Sequence, residues 1–327
     1  MDRGRETALT LSVTAAEVRA ARELIAPHVR RTPLVASDAL GAALGTSVSL
    51  KFENLQVTGS FKPRGVVNAV LSLARDRLER GVITMSAGNT AIALAYAARA
   101  AHARATVVMP EAAPASKLAA TRALGAEVVL HGDRVTLGDR LAAETSARGA
   151  TLVHPHEDRA VFAGHGTIAL EVIEDDPEVG LIVVAVGGGG LIAGIAAAVG
   201  ETPRVRIVGV ETRGAPTMRA ALDAGAPTRL ERIDTIADGL TAPIAGRAAF
   251  EMVRSRVDEI VLVDDAEVRT AMRLIAQHAK QVVEPAGATA VAGLLSGAVR
   301  ARPGERVVAI LSGGNVDLDR YAELLRQ

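Results

Sequence analysis

The chain lacks cysteine and tryptophan altogether and carries two tyrosines and four phenylalanines in 327 residues. Without cysteine there can be no disulfide, no iron–sulfur cluster and no thiolate nucleophile. Its absence also leaves the redox compartment open. The scarcity of aromatics, beside many Ala, Gly and Arg residues, is a compositional bias without functional weight. Net charge is absent too: 37 basic residues balance 37 acidic ones, and no basic block occurs. That excludes a nucleic-acid binder, which needs concentrated positive charge for phosphates. No run of about 18 apolar residues occurs, so a membrane span is not expected. The N-terminal Met1–Thr7 is charged and leads into no apolar signal core, which makes the cytoplasm the expected location.

What is present is apolar bulk. With 49% hydrophobic and 23% charged residues, the chain can build sizeable cores in one large domain or two lobes. No fixed-period repeat or low-complexity linker divides it. Thr14-Ala-Ala-Glu17 is a capping box for a helix to about Ile25. Strands are expected at Val48–Phe52, Val82–Met85, Ala105–Met109, Glu127–Leu130, Thr151–Val153, Leu181–Val186, Arg206–Val210, Val257–Val263 and Val307–Leu311. Helical patterns stand between them, including Val66–Leu73, Thr90 to about Ala101, Thr136–Arg148 and Gly166–Ile173. This alternation implies an α/β fold with mostly parallel sheets flanked by helices. Such sheets bind ligands at the carboxyl ends of their strands. The compact β/α units suggest a small domain at 79–156, inserted in a larger one formed by 1–78 and 157–327.

Two segments carry chemistry. Gly187-Gly188-Gly189-Gly190 follows an apolar strand and opens a helix at Leu191. Consecutive glycine N–H groups and a helix N-terminus make a phosphate cradle. The run also fits a relaxed dinucleotide fingerprint, Gly188-x-Gly190-x-x-Ala193, with Glu211 at the end of the next strand as a ribose-binding acid. Lys62 discriminates between the two. It sits between a strand and an apolar helix, flanked by Gly59-Ser60-Phe61 and Pro63, where a dinucleotide gives it no role. A lysine can form a Schiff base with a carbonyl cofactor, and pyridoxal 5'-phosphate needs both a lysine and a phosphate cradle. The loop Ser86-Ala87-Gly88-Asn89-Thr90 ends a strand and starts a helix, so its N–H groups can hold a substrate carboxylate.

Arg31-Thr-Pro-Leu34, Lys51 to Gly65, Ser86-Ala-Gly-Asn89, Gly187 to Leu191, Glu284-Pro-x-Gly-Ala288 and Ser312-Gly-Gly-Asn315 occur in that order. Together they resemble the serine/threonine dehydratase group of fold-type II pyridoxal-phosphate enzymes, the tryptophan synthase β-like fold that includes serine racemase. The resemblance spans about residues 15–320. It implies that Lys62 is the Schiff-base lysine and Phe61 lies against the cofactor ring. Asn89 would bond the ring hydroxyl oxygen, and Gly187–Gly190 with Leu191 would hold the phosphate. Ser312 would face the pyridine nitrogen, with Glu284 in the cofactor shell. A serine there leaves the ring nitrogen unprotonated, a weaker electron sink that suits rapid loss of a β-substituent.

Several positions depart from the family pattern. Ala87 stands where serine racemase has its second acid/base, which favours elimination over racemisation. Thr90 replaces the usual histidine. The family's divalent cation site maps onto Glu211, Ala215 and Thr217, and Thr217 lacks the second carboxylate, leaving a metal in question. His154-Pro-His156-Glu-Asp158 lies where relatives usually carry an aromatic and acids, and His156 could read a substrate side chain. His154-x-His156 with Glu157 and Asp158 could also hold a metal. His165 is expected to be structural, and Asp238-Gly239 a structural turn.

The expectation is a β-eliminating ammonia-lyase acting on a β-hydroxy-α-amino acid such as L-threonine or L-serine. By resemblance it would be a homodimer or homotetramer, and by the absence of a C-terminal regulatory segment it would escape isoleucine control. The alternatives are a β-replacement synthase, a racemase, a nicotinamide-dependent oxidoreductase and a non-catalytic binding protein.

Overall fold

A computed structural model describes residues 12–133, 136–200, 202 and 204–326; the charged N-terminal heptapeptide lies outside them. The described residues form two sheets. The larger has the order β1 (Leu34–Ala36), β2 (Val48–Lys51), β10 (Arg306–Ile310), β7 (Val179–Ala185), β8 (Arg206–Thr212), β9 (Glu259–Val263). The smaller has the order β5 (Glu127–Leu130), β4 (Ala105–Met109), β3 (Val82–Met85), β6 (Thr151–Leu152). All pairings are parallel except β1 against β2. Parallel strands need crossover helices that cover both faces. The central strands are accordingly buried, with Leu181, Ile182, Val183 and Val184 all inaccessible to solvent.

The two faces of the larger sheet have separate apolar cores. One gathers Ile182, Val184, Ile207 and Val308 beneath the helices Arg159–Asp175 and Gly190–Val199. The other gathers Leu181, Val183, Val208 and Val307 beneath the helices Asp265–Leu274 and Pro285–Leu295. This is period-2 alternation: odd and even residues of β7 point to opposite cores. The smaller sheet packs Val107 and Met109 against Ala91, Leu94 and Ala98 of the helix Asn89–Ala100.

Thr14 caps the helix Ala15–Ile25 through the expected capping box, closed by Glu17. The helix at Arg159–Asp175 is far longer than Gly166–Ile173. Gly164 and Gly166 interrupt the apolar pattern, yet they serve close packing. A side-chain carbon on Gly164 would strike the Arg64 carbonyl, and one on Gly166 the Gly194 carbonyl. The helix after the Gly-Ser turn spans Lys62–Leu71, so it begins at Lys62 rather than at Val66. Pro63 favours that start, because a first-turn N–H has no intrahelical partner to lose.

Candidate active site

A cavity of about 710 Å³ opens between the two sheets. Its wall includes Phe61, Lys62, Ser86 to Thr90, His156, Gly187 to Leu191, Glu284 and Ser312. Residues as far apart in the chain as Phe61 and Ser312 thus meet at one site. Hydrogen bonds fix the juncture: Phe61 N–H donates to the Ser312 carbonyl at 3.0 Å and Gly314 N–H to the Gly59 carbonyl at 2.8 Å. Gly59 adopts φ +75°, a conformation that only glycine takes readily.

Of the four lysines in the chain, three have other partners. Lys51 is inaccessible and ion-paired to Glu171 at 2.6 Å. Lys117 pairs with Asp238 at 2.9 Å. Lys280 donates to the Gln277 carbonyl on the surface. Lys62 lines the cavity floor, its Nζ 4.5 Å from the Phe61 ring centroid. Burial pushes its pKa down to about 8, with Glu284 opposing the shift. A substantial neutral fraction near neutrality is what a nucleophilic or basic lysine requires.

The glycine run joins β7 to the helix Gly190–Val199. Gly189 takes φ +97°, and its neighbours are crowded. A carbon added at Gly188 would meet the His156 ring at 2.5 Å, one at Gly187 the Leu240 backbone at 3.0 Å, and one at Gly190 the Pro155 carbonyl. Side chains are thereby excluded, and the loop can present backbone donors at the helix N-terminus.

Asn89 begins the helix Asn89–Ala100. Its Nδ2 donates to Glu284 Oε1 at 2.6 Å, and its Oδ1 accepts from Asn315 Nδ2 at 2.8 Å. Glu284 is 2% exposed, and burial pushes its carboxyl up to about 7. Lys117, Asn89 and Lys62 pull the other way, while Asp238 adds to the rise. Its Oε2 is buried with no hydrogen-bond partner among the described residues. Ser312, 5% exposed, makes a long hydrogen bond of 3.4 Å to the Ala286 carbonyl. In the carboxylate loop, Ser86 Oγ accepts from Gly88 N–H at 3.1 Å.

His156 lies against the glycine run, its ring 4.5 Å from that of His154 in an edge-to-face contact. Burial, then His154 and Lys62, push its pKa down to about 3, so the ring is neutral. His165 is inaccessible and edge-on to Phe61 at 4.7 Å. Burial holds its pKa well below the ordinary value.

The two metal readings do not fit this geometry. Glu211 Oε1 and Oε2 accept from Met218 N–H at 2.7 Å and Arg219 N–H at 2.9 Å, so the carboxylate caps the helix Thr217–Ala224. Thr217 Oγ1 donates to the Ala242 carbonyl at 2.7 Å, and Ala215 is inaccessible. Burial pushes Glu211 up to about 8. Beside His154, Glu157 accepts from Arg247 and Ala248 N–H, and Asp158 caps the helix Arg159–Asp175. Among the described residues no three His, Asp or Glu side chains converge to hold a metal. The same placement removes Glu211 from any ribose-binding role and overturns the dinucleotide reading.

Pyridoxal phosphate fits on the molecule's own terms. A glycine loop packed too closely for side chains shares its cavity with an enclosed lysine, an unpartnered carboxylate oxygen and a serine hydroxyl. Lys117 and Asp238 were missed as cavity residues. The Asp238-Gly239 dipeptide was the only local signal, and it fits a turn equally well.

A lysine and a phosphate cradle at the carboxyl edge of a parallel sheet define a lysine-anchored phosphate-cofactor enzyme. The chain's relatives agree. The model of the family "Pyridoxal-phosphate dependent enzyme" matches residues 25–313. An L-threonine ammonia-lyase of Thermotoga maritima is 40% identical over 317 residues, covering 96% of this chain and 79% of that protein. A catabolic L-threonine dehydratase of Staphylococcus aureus is 41% identical, covering 96% and 92%. Among solved structures, maize serine racemase superposes with a TM-score of 0.92 at 34% identity, covering 96% of this chain and 97% of that one. The chain belongs to the pyridoxal-phosphate dependent enzyme family. Among its described residues no helix is long and apolar enough to cross a membrane.

Proposed function

We propose that this chain is an ammonia-lyase that removes water and then ammonia from L-threonine or L-serine. The observation that carries the reading is Lys62, whose enclosed amine faces both the glycine cradle and the Ser86–Thr90 loop across one cavity. The catabolic dehydratase and ammonia-lyase relatives, at about 40% identity over nearly the whole chain, support the substrate class.

When bound, pyridoxal phosphate supplies a carbonyl for an amine and a conjugated ring that spreads the charge left at Cα. Phe61 would lie against that ring, Asn89 and Glu284 along one edge, Ser312 at its nitrogen, and Gly187 to Gly190 with Leu191 at the phosphate. The protein's own residues do the rest. The Ser86–Thr90 loop holds the substrate carboxylate at a helix N-terminus. Lys62 Nζ, lowered to about 8 by burial, takes the α-proton as general base. Hydroxide leaves Cβ, and the released enamine hydrolyses to a 2-oxo acid and ammonia. Ala87 puts a methyl group in the cavity wall where a second acid/base would have to stand. The α-carbon therefore has one proton carrier, which favours elimination. His156, a neutral ring in the cavity wall, is placed to contact the substrate side chain.

The same proposal takes residues 79–156 as a small unit inserted in a larger one of 1–78 and 157–327. It takes the enzyme as a cytoplasmic homodimer or homotetramer. Purified protein supplied with cofactor should release 2-oxo acid and ammonia one-to-one from L-threonine or L-serine, and Lys62→Ala should not. If neither amino acid yields oxo acid while a second nucleophilic substrate is consumed, the enzyme is a β-replacement synthase instead.

A further inference from the structure

We propose that Lys117 is a positioning residue for the substrate carboxylate, supplying an ammonium that the Ser86–Thr90 loop lacks. This deepens the amino-acid reading above and rests on it.

Lys117 lies on the helix Ala115–Ala123, which follows β4 in the smaller sheet. Its side chain is 12% exposed and crosses the cavity mouth to Asp238 Oδ2, 2.9 Å away on the larger unit. The ammonium stands 4.0 Å from the point where a side-chain carbon on Gly88 would lie. It is therefore beside the loop expected to take the carboxylate. That loop is otherwise neutral. Its donors are backbone N–H groups and the Ser86 and Thr90 hydroxyls, and the N–H of Gly88 is already engaged by Ser86 Oγ at 3.1 Å.

An ammonium has three donors, and one goes to Asp238. The other two are left for a ligand in a cavity whose lining also carries Lys62 and Arg229. Asp238, Glu284 and Asp317 are the acids whose fields reach Lys117. Burial by itself would lower its pKa, but Asp238 and Glu284 outweigh burial and raise it, so the group is charged at neutral pH. An exposed surface pair would be worth little. A largely enclosed ammonium aimed at an anion site is a charge-assisted donor, about twice as strong as a neutral one. Asp238 is half exposed and holds the lysine without neutralising it in a dry core.

The test compares two ligands that cannot lose a β-substituent, L-alanine and L-alaninamide. They are titrated into the cofactor-loaded enzyme and followed by the cofactor's visible absorbance. Wild type should prefer L-alanine. Lys117→Met should reduce that preference roughly tenfold or more by weakening L-alanine while leaving L-alaninamide within about twofold. Lys117→Gln, close in length but uncharged, should do the same, and it serves if the methionine variant fails to load cofactor. A preference equal in wild type and both variants would overturn the role of Lys117 alone. A wild-type spectrum that L-alanine does not move would overturn the amino-acid reading, and this inference with it.

Discussion

Replacing Arg64 with methionine tests how the Lys62 helix is held. Arg64 is 1% exposed and lies two residues beyond Lys62. Its Nε and Nη2 donate to the two oxygens of Glu53, each at 2.8 Å, and Nη1 and Nη2 to Glu171 at 2.7 and 3.0 Å. Lys51 Nζ completes the cluster, at 2.6 Å from Glu171 and 2.7 Å from the Thr32 carbonyl. Thr32 Oγ1 donates to Glu53 Oε1 at 2.5 Å. Burial works against the guanidinium charge, but Glu53 and Glu171 outweigh it and hold its pKa above the ordinary value. Two cations thus face two carboxylates, with nearly every polar atom satisfied. Methionine fills similar volume but leaves two buried carboxylates to one lysine. Removing one partner of such a buried pair costs about 3–5 kcal/mol. At ~2.1 cal/mol/K per residue over this length, the melting temperature should fall by about 6 °C. Scanning calorimetry or circular dichroism would measure it. Adding Glu53→Gln should not deepen the loss, because it removes the stranded charge, so the two changes are strongly non-additive. A shift below about 1 °C, or strict additivity, would refute the view of one charge-balanced cluster.

Other outcomes follow from the site. Glu284 is raised from its usual range to about 7, so its stabilising contribution is complete below about 4.5 and fades as pH rises through 7. Cofactor-free Glu284→Gln should therefore gain on wild type by roughly 2–3 kcal/mol between pH 5 and 8, read from paired denaturant titrations. Equal pH profiles would contradict that environment. In the proposed mechanism Ala87→Ser restores a second acid/base in the cavity wall, and chiral chromatography of recovered serine should then show D-serine that wild type does not produce. Gly190→Ala pushes a methyl group against the Pro155 carbonyl and should weaken cofactor retention more than tenfold in equilibrium dialysis. Because Glu211 is held by two N–H groups, removing divalent cations with a chelator should leave the rate of oxo-acid formation unchanged.

Much of the frame was legible because strands advertise themselves locally. Val82–Met85, Ala105–Met109 and Glu127–Leu130 are short apolar runs between turn residues, and they form where expected. The glycine run and Lys62 were legible for the same reason: each is a local pattern with few uses. Long-range features were not. β1 is a three-residue edge strand whose only antiparallel partner is β2, and nothing in Leu34–Ala36 announces it. The helix start expected at Gly166 missed the turns before it, because the contacts of Gly164 with Arg64 and of Gly166 with Gly194 that make glycine necessary inside the helix are tertiary. Asn89, Glu284 and Asn315 join across more than 190 residues, and charge pairs such as Arg64 with Glu171 carry no sequence spacing of their own. Glu211 could equally have bound a ribose, a cation or a helix end until its carboxylate was placed.

Lys62 is the proposed anchor of the cofactor. Because the chain has four lysines, borohydride reduction of the cofactor-loaded enzyme followed by peptide mass spectrometry gives a clean answer. The reduced pyridoxyl mass should appear on the peptide carrying Lys62 and on no other. The same mass on the Lys51, Lys117 or Lys280 peptide, or on none, would contradict it.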